Sequence, residues 1–124
     1  MNSSEEQNSE EAPKQCLRQL ADFTESVFYR PGMYTINGTL EEVGAFLEGY
    51  YSGAAKCFQS AGAQQEVNRW VEFCRWLGEK IGGVQAPSWH NVFKALRVLH
   101  PNDAEAFEKL RTWYPEFLES KDNS

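Results

Sequence analysis

Apolar residues recur along this chain at intervals of three and four, the spacing of one face of an α-helix, in five separate runs. The first spans Lys14 to Phe28 and carries Leu17, Leu20, Ala21, Thr24, Val27 and Phe28. The second starts at Thr39 and continues to about Ser60, with Leu40, Val43, Phe46, Leu47, Tyr50, Ala54, Cys57 and Phe58 on one side. The third, Gln64 to Ile81, turns Val67, Trp70, Cys74, Leu77 and Ile81 inward, with Phe73 and Val71 at the edges of that face. The fourth, Trp89 to Leu99, offers Trp89, Val92, Phe93, Leu96 and Leu99 to a core and points His90, Lys94 and Arg97 outward. The fifth carries Phe107, Leu110, Tyr114 and Phe117. Strand-like alternation is confined to Met33–Ile36, too short to seed a sheet. The pattern predicts an all-α fold, a compact bundle of about five helices.

Punctuation between the runs agrees with this division. Arg30 precedes Pro31 and is thereby pushed out of the helical region. Pro31-Gly32 fits the centre of a type II turn, and Asn37-Gly38 is a second turn signal. Thr39 with Glu42 three residues on is a capping box that starts the second helix. Gly82-Gly83 stops the third, Ser88 caps the fourth, Pro101 ends it, and Asn102 with Glu105 caps the fifth. Pro115 removes a backbone donor, which predicts a kink or break near Tyr114.

The second helix also has a distinctive outer side. Ala45, Gly49 and Gly53 lie at i, i+4 and i+8, flanked by Glu41, Glu42 and Glu48. A glycine inside a helix costs about 1 kcal/mol against alanine, so three of them, Gly44, Gly49 and Gly53, call for close approach by another helix or a partner.

Composition places these helices in one domain. A chain of 124 residues, 41% hydrophobic and 14% aromatic, supports a single core spanning residues 14–120. Residues 1–13 are Asn, Ser, Glu and Gln with almost no apolar content and are expected to form a disordered acidic tail, with 121–124 a flexible C-terminus. The net charge is −6. Without Glu5, Glu6, Glu10 and Glu11 of the tail and Asp122 at the end, 13 acidic side chains face 12 basic ones, so the domain is nearly neutral. No apolar run approaches the roughly 20 residues of a membrane helix, and the acidic, polar start is unlike a signal peptide. A cytoplasmic protein is expected, without membrane association.

Chemistry is weakly signalled. Cys16, Cys57 and Cys74 are odd in number and never form a C-x-x-C pair, so they read as thiols that pack or stay idle. His90 falls on a solvated face, and His100 sits at a helix C-terminus where the macrodipole favours it. No metal-ligand spacing, phosphate-binding glycine loop or nucleophile elbow occurs, so neither metal, cofactor nor catalytic residue is assigned and an enzyme is not expected. Glu41 and Glu42 are neighbours that diverge by about 100° on a helix rather than converge. Arg69, Trp76 and Lys80 form a stripe of the kind that holds nucleic acid, but the low pI of about 4.9 argues against that partner.

At Arg30-Pro31-Gly32-Met33-Tyr34, followed by the helix from Leu40 through Val43, Phe46, Leu47, Gly49 and Tyr50, the chain resembles a set of small bacterial proteins. These carry an R-P-G-M-Y corner and an L-x-x-(L/V)-x-x-F-L-x-G-Y helix. The Trp89 helix and the closing Phe107–Leu118 segment follow in similar order, so the resemblance covers most of residues 27–119. It implies an immunity-type protein of a bacterial competition system, which binds one cognate toxin and occludes its active surface without catalysis. The expected contact residues are Tyr29, Arg30 and Tyr34 at the corner and Glu41, Glu42, Ala45, Glu48, Gly49 and Gly53 on the second helix. Aromatic and Arg anchors would supply hot spots, and carboxylates would steer a basic surface. The alternative is a regulatory or adaptor module acting on a non-toxin protein or by self-association, as a monomer or a homodimer.

Overall fold

A computed structural model describes residues 23–57, 61–85 and 88–122. The expected tail, the start of the first helix, Cys16, Phe58, Ser60, Pro87 and the last two residues lie outside them. The described residues form six helices and no strand: α1 (23–29), α2 (Pro31–Tyr34), α3 (Leu40–Cys57), α4 (Ala61–Ile81), α5 (Trp89–Leu99) and α6 (Asp103–Asp122). The all-α bundle is therefore as expected, with one helix more. None of these helices is long and apolar enough to cross a membrane.

The extra helix replaces the type II turn. Pro31 occupies the first position of α2, where its missing N–H costs nothing and its fixed φ suits the helix. The Thr35 amide closes onto the Pro31 carbonyl at 3.1 Å, and Gly32 keeps a negative φ. The chain thus winds once at the corner instead of reversing at Gly32. The reversal comes later, at Gly38, whose φ is +66° and whose amide donates to Thr35 Oγ1 at 2.9 Å.

The capping box of α3 forms as read. The Glu42 amide donates to Thr39 Oγ1, and Glu42 Oε1 accepts from the Thr39 amide, both at 3.2 Å. Helix α3 is the hub, packing against α2, α4, α5 and α6. Its buried line is Leu40, Val43, Gly44, Leu47 and Tyr51, turned from the expected one through Tyr50, Ala54 and Cys57. Gly44 explains the rotation. With no Cβ there, the Trp89 and Phe93 rings of α5 lie against the α3 backbone, and an added Cβ would sit 2.8 Å from each. Tyr50 is left half exposed and stacks on Phe23, ring centroids 4.5 Å apart.

Aromatic rings fill the centre. Phe73 was expected at the edge of its helix face but is fully buried, its ring within 6.3 Å of those of Phe28, Trp70, Trp76, Tyr114 and Phe117. Helix α4 supplies Trp70, Phe73, Cys74 and Leu77. The stripe of α6 is buried as read, at Phe107, Leu110, Tyr114 and Phe117. Leu99, assigned to the core, is 54% exposed, because it closes α5 beyond the last packed turn. Helix α6 passes Pro115 without a break. That residue is exposed, and only the backbone bond to the preceding turn is lost. The helix also runs on to Asp122, with Lys121 ion-paired to Glu72 at 2.6 Å, past the expected boundary at 120.

Helix ends are held in part by distant residues. Asp103 Oδ1 accepts from the Leu40 amide at 3.1 Å, so the first residue of α6 caps the first residue of α3. The same oxygen accepts from Arg97 Nη2. Ser88 stands at the start of α5 without a side-chain cap bond, while Asn102 Oδ1 accepts from the Ala104 amide at 2.8 Å.

Candidate functional site

The expected contact residues separate into two groups on either side of α3. At the corner, α1 ends at residue 29, Arg30 adopts φ −136° and ψ 60°, and α2 turns back across the end of α1. Tyr34 faces inward, edge-on to Phe23 at 5.7 Å and tilted against Phe46 at 5.9 Å. It anchors α2 to α3 and leaves the contact surface to its neighbours. Tyr29 is 56% exposed and Met33 69% exposed. The Arg111 guanidinium of α6 lies 5.4 Å from the centre of the Tyr29 ring, and Arg30 Nη1 lies 3.9 Å from Met33 Sδ. Neither arginine forms an ion pair with a carboxylate among the described residues.

Of the three glutamates of α3, Glu41 is exposed and Glu42 and Glu48 are half-buried, and each is engaged within the chain. Glu41 is held by Arg97 through both oxygens, at 2.8 and 2.9 Å. Glu42 Oε1 receives the Asn37 and Thr39 amides and the Thr39 hydroxyl. Glu48 Oε2 accepts from the Trp70 indole at 2.7 Å and its other oxygen from Ser52 at 3.4 Å. Between them Ala45, Gly49 and Gly53 are exposed, and among the described residues an added Cβ at either glycine would meet nothing within 4 Å. Packing among the described residues thus gives no reason for glycine at 49 or 53.

The Arg69, Trp76 and Lys80 stripe does not form one surface. Arg69 lines an interior cavity, Trp76 stacks on Phe73 and tilts against Phe117, and Lys80 pairs with Glu116 at 2.5 Å while lying 5.5 Å from the Trp76 ring centre. That cavity measures about 10 Å³, lined by Thr24, Tyr51, Glu66, Arg69, Trp70 and Tyr114, which is room for one water. The Thr24 and Tyr51 hydroxyls are hydrogen-bonded across it at 2.5 Å. Burial pushes the Tyr51 hydroxyl up to about 12 and raises those of Tyr114 and, in the core, the Cys74 thiol. Burial also raises the Glu66 carboxyl, with Arg69 acting against it. The two tyrosine hydroxyls and the Cys74 thiol therefore hold their protons tightly. Cys57 is exposed, and no group of three metal-ligating side chains occurs among the described residues.

Arg97 is the strongest electrostatic feature. It grips Glu41 and Asp103 and donates to the Pro101 carbonyl at 2.6 Å, joining the starts of α3 and α6 to the end of α5. Its hydrogen bond and charge hold the Glu41 carboxyl below the ordinary value of 4.5. A depressed folded-state pKa stabilises fully above the unfolded value and is lost as pH falls through the folded one. Glu41 is 59% exposed, so screening limits the effect to below about 1 kcal/mol. Glu41→Gln should lower the urea midpoint slightly at pH 7 and by less at pH 3. A gap of the same size at both pH values contradicts the assignment.

Two surface residues that sequence reasoning missed, Met33 as an exposed group and Arg111, complete the corner. Met33 reads equally well as a plug for the bundle end. Arg111 reaches Tyr29 only through tertiary packing, and no local signal marks it. The chain matches no protein-family model, no curated protein and no solved structure, so its own geometry carries the functional reading.

Proposed function

We propose that this is a non-catalytic binding protein of immunity type, acting in the cytoplasm by docking on a cognate toxin and occluding its active surface. The observation that carries the reading is the corner. Tyr29 and Met33 stand 56% and 69% exposed beside Arg30, on a rigid helical scaffold. Tyr and Arg are the residue types that dominate binding hot spots, and an exposed aromatic held by packed helices loses little entropy on docking. The R-P-G-M-Y corner supports the finer, toxin-neutralising form by its resemblance to immunity-type proteins.

Co-expression with the toxin encoded by the adjacent gene tests this. The protein should rescue growth and copurify with the toxin, and Tyr29→Ala should weaken binding by about tenfold or more while leaving the thermal midpoint within about 2 °C. Failure of both rescue and copurification removes the reading.

A second reading rests on Gly49 and Gly53, whose open positions suit close approach by a helix of another copy. Sedimentation equilibrium then shows a dimer that Gly53→Leu dissociates. A monomer across the micromolar to millimolar range excludes this reading.

A further inference from the structure

The last turn of α1, Arg30 and the second half of α2 border a groove of about 260 Å³, lined by Glu25, Ser26, Tyr29, Arg30, Met33 and Tyr34. Its composition is uneven. Tyr29 and Met33 offer apolar surface, and no aromatic ring among the described residues covers the Tyr29 ring as Phe23 covers Tyr50. The Arg30 guanidinium stands beside Met33, and that of Arg111 lies over Tyr29. Both cations are without an ion-paired carboxylate among the described residues. On the outer side of α3 the opposite holds, since Glu41 and Glu48 already accept hydrogen bonds through both oxygens and Glu42 through one.

Building on the binding-protein reading, we infer that this groove docks an acidic segment of the partner, seating an apolar side chain against Tyr29 and Met33 and a neighbouring carboxylate on Arg30. The charge argument selects this occupant. A guanidinium takes a carboxylate through two parallel N–H bonds, a stronger and more directional contact than a lysine makes. A basic segment would bring its cations against Arg30 and Arg111, and like charges at close range are rejected. A purely apolar segment would leave the arginines unanswered. The glutamates of α3, committed within the chain, then serve architecture rather than steering.

A direct test titrates the full-length, ¹⁵N-labelled protein with a terminally blocked synthetic peptide carrying a Glu-Phe-Glu core in a Gly-Ser frame, followed by amide NMR. Saturable shifts are expected at residues 25–34 and around Arg111. Binding should weaken about tenfold for a Gln-Phe-Gln core and for Arg30→Ala, vanish for Lys-Phe-Lys, and weaken with salt. Arg30 is exposed and outside the core, and the dispersion of the Arg30→Ala spectrum checks its fold. Equal binding of the Lys core, shifts centred elsewhere, or no shift at millimolar peptide overturns the inference. A full-length variant with Glu5, Glu6, Glu10 and Glu11 changed to Gln should bind the peptide with wild-type affinity. Binding that appears only in that variant assigns the groove to the chain's own glutamates and overturns a partner segment as its occupant. The two proposals fail separately. Peptide binding of the expected pattern without toxin rescue sinks the immunity reading alone, whereas rescue and copurification unaltered by Arg30→Ala sink the groove alone.

Discussion

Phe73→Ala is expected to remove about 3–5 kcal/mol of folding stability. The Phe73 ring is fully buried and touches aromatic rings from three helices: Phe28 of α1, Trp70 and Trp76 of α4, and Tyr114 and Phe117 of α6, with centroids between 5.0 and 6.3 Å. Rigid, mutually braced rings cannot collapse into the space left behind, so the cavity term adds to the lost transfer energy. Domains of this size have about 5–15 kcal/mol in total. The variant should therefore sit near its unfolding transition at 37 °C. Phe73→Leu, which keeps most of the volume, should cost about 1–2 kcal/mol. Urea unfolding followed by far-UV and near-UV circular dichroism gives both numbers. A loss below 1 kcal/mol for Phe73→Ala contradicts the packing described.

The second large effect sets glycines of one helix against each other. Gly44→Ala places a methyl 2.8 Å from Phe93 Cδ2 and from Trp89 Cε3. Phe93 is buried with nowhere to retreat, and overpacking of this kind costs about 1–3 kcal/mol. The better helix propensity of alanine returns about 1 kcal/mol of that, leaving a net loss of up to about 2 kcal/mol, and Gly44→Leu should fail to fold. At Gly53 an added Cβ would meet nothing within 4 Å among the described residues, so Gly53→Ala keeps the propensity gain and should stabilise by roughly 1 kcal/mol. The signs are opposite for the same chemical change. Thermal midpoints of the two alanine variants should move in opposite directions, by several degrees each. A Gly44→Ala protein more stable than wild type would show that α5 does not rest on the α3 backbone.

These glycines also show where sequence legibility stopped. Periodicity found α3, α4, α5 and α6, because the apolar spacing of a helix is local, although the face that α3 buries was turned by the approach of α5 at Gly44, and Thr39 with Glu42 marked the start of α3 because a capping box lies within four residues. Gly44, Gly49 and Gly53 look alike in sequence, yet only Gly44 meets another helix. That distinction depends on where Trp89 and Phe93 arrive, some 45 residues on in the chain. The corner was legible as a place where the chain changes direction. Whether it wound or reversed depended on the small balance between a Pro-started helical turn and a glycine in the left-handed region, and the Thr35 bond to Pro31 decided it.

The candidate surface was readable to a similar depth. Tyr29, Arg30 and Glu41 are exposed, whereas Tyr34 turns inward and Glu42 and Glu48 are half-buried. The engagement of Glu48 and Glu41 by Trp70 and Arg97 could not be read from local pattern, since those partners come from α4 and α5, 22 and 56 residues away. An outward position on a helical wheel identifies a side chain that leaves the core, and says nothing of the neighbour that meets it.

The cap that Asp103 places on Leu40 spans 63 residues. Helix α3 carries the bundle's central contacts, yet one amide at its start is satisfied by a side chain made 63 residues later. While Asp103 is still inside the ribosome, α3 waits with an open first turn, and the emergence of α6 closes it. The order of assembly runs against the order of the sequence: a helix made later completes one made earlier.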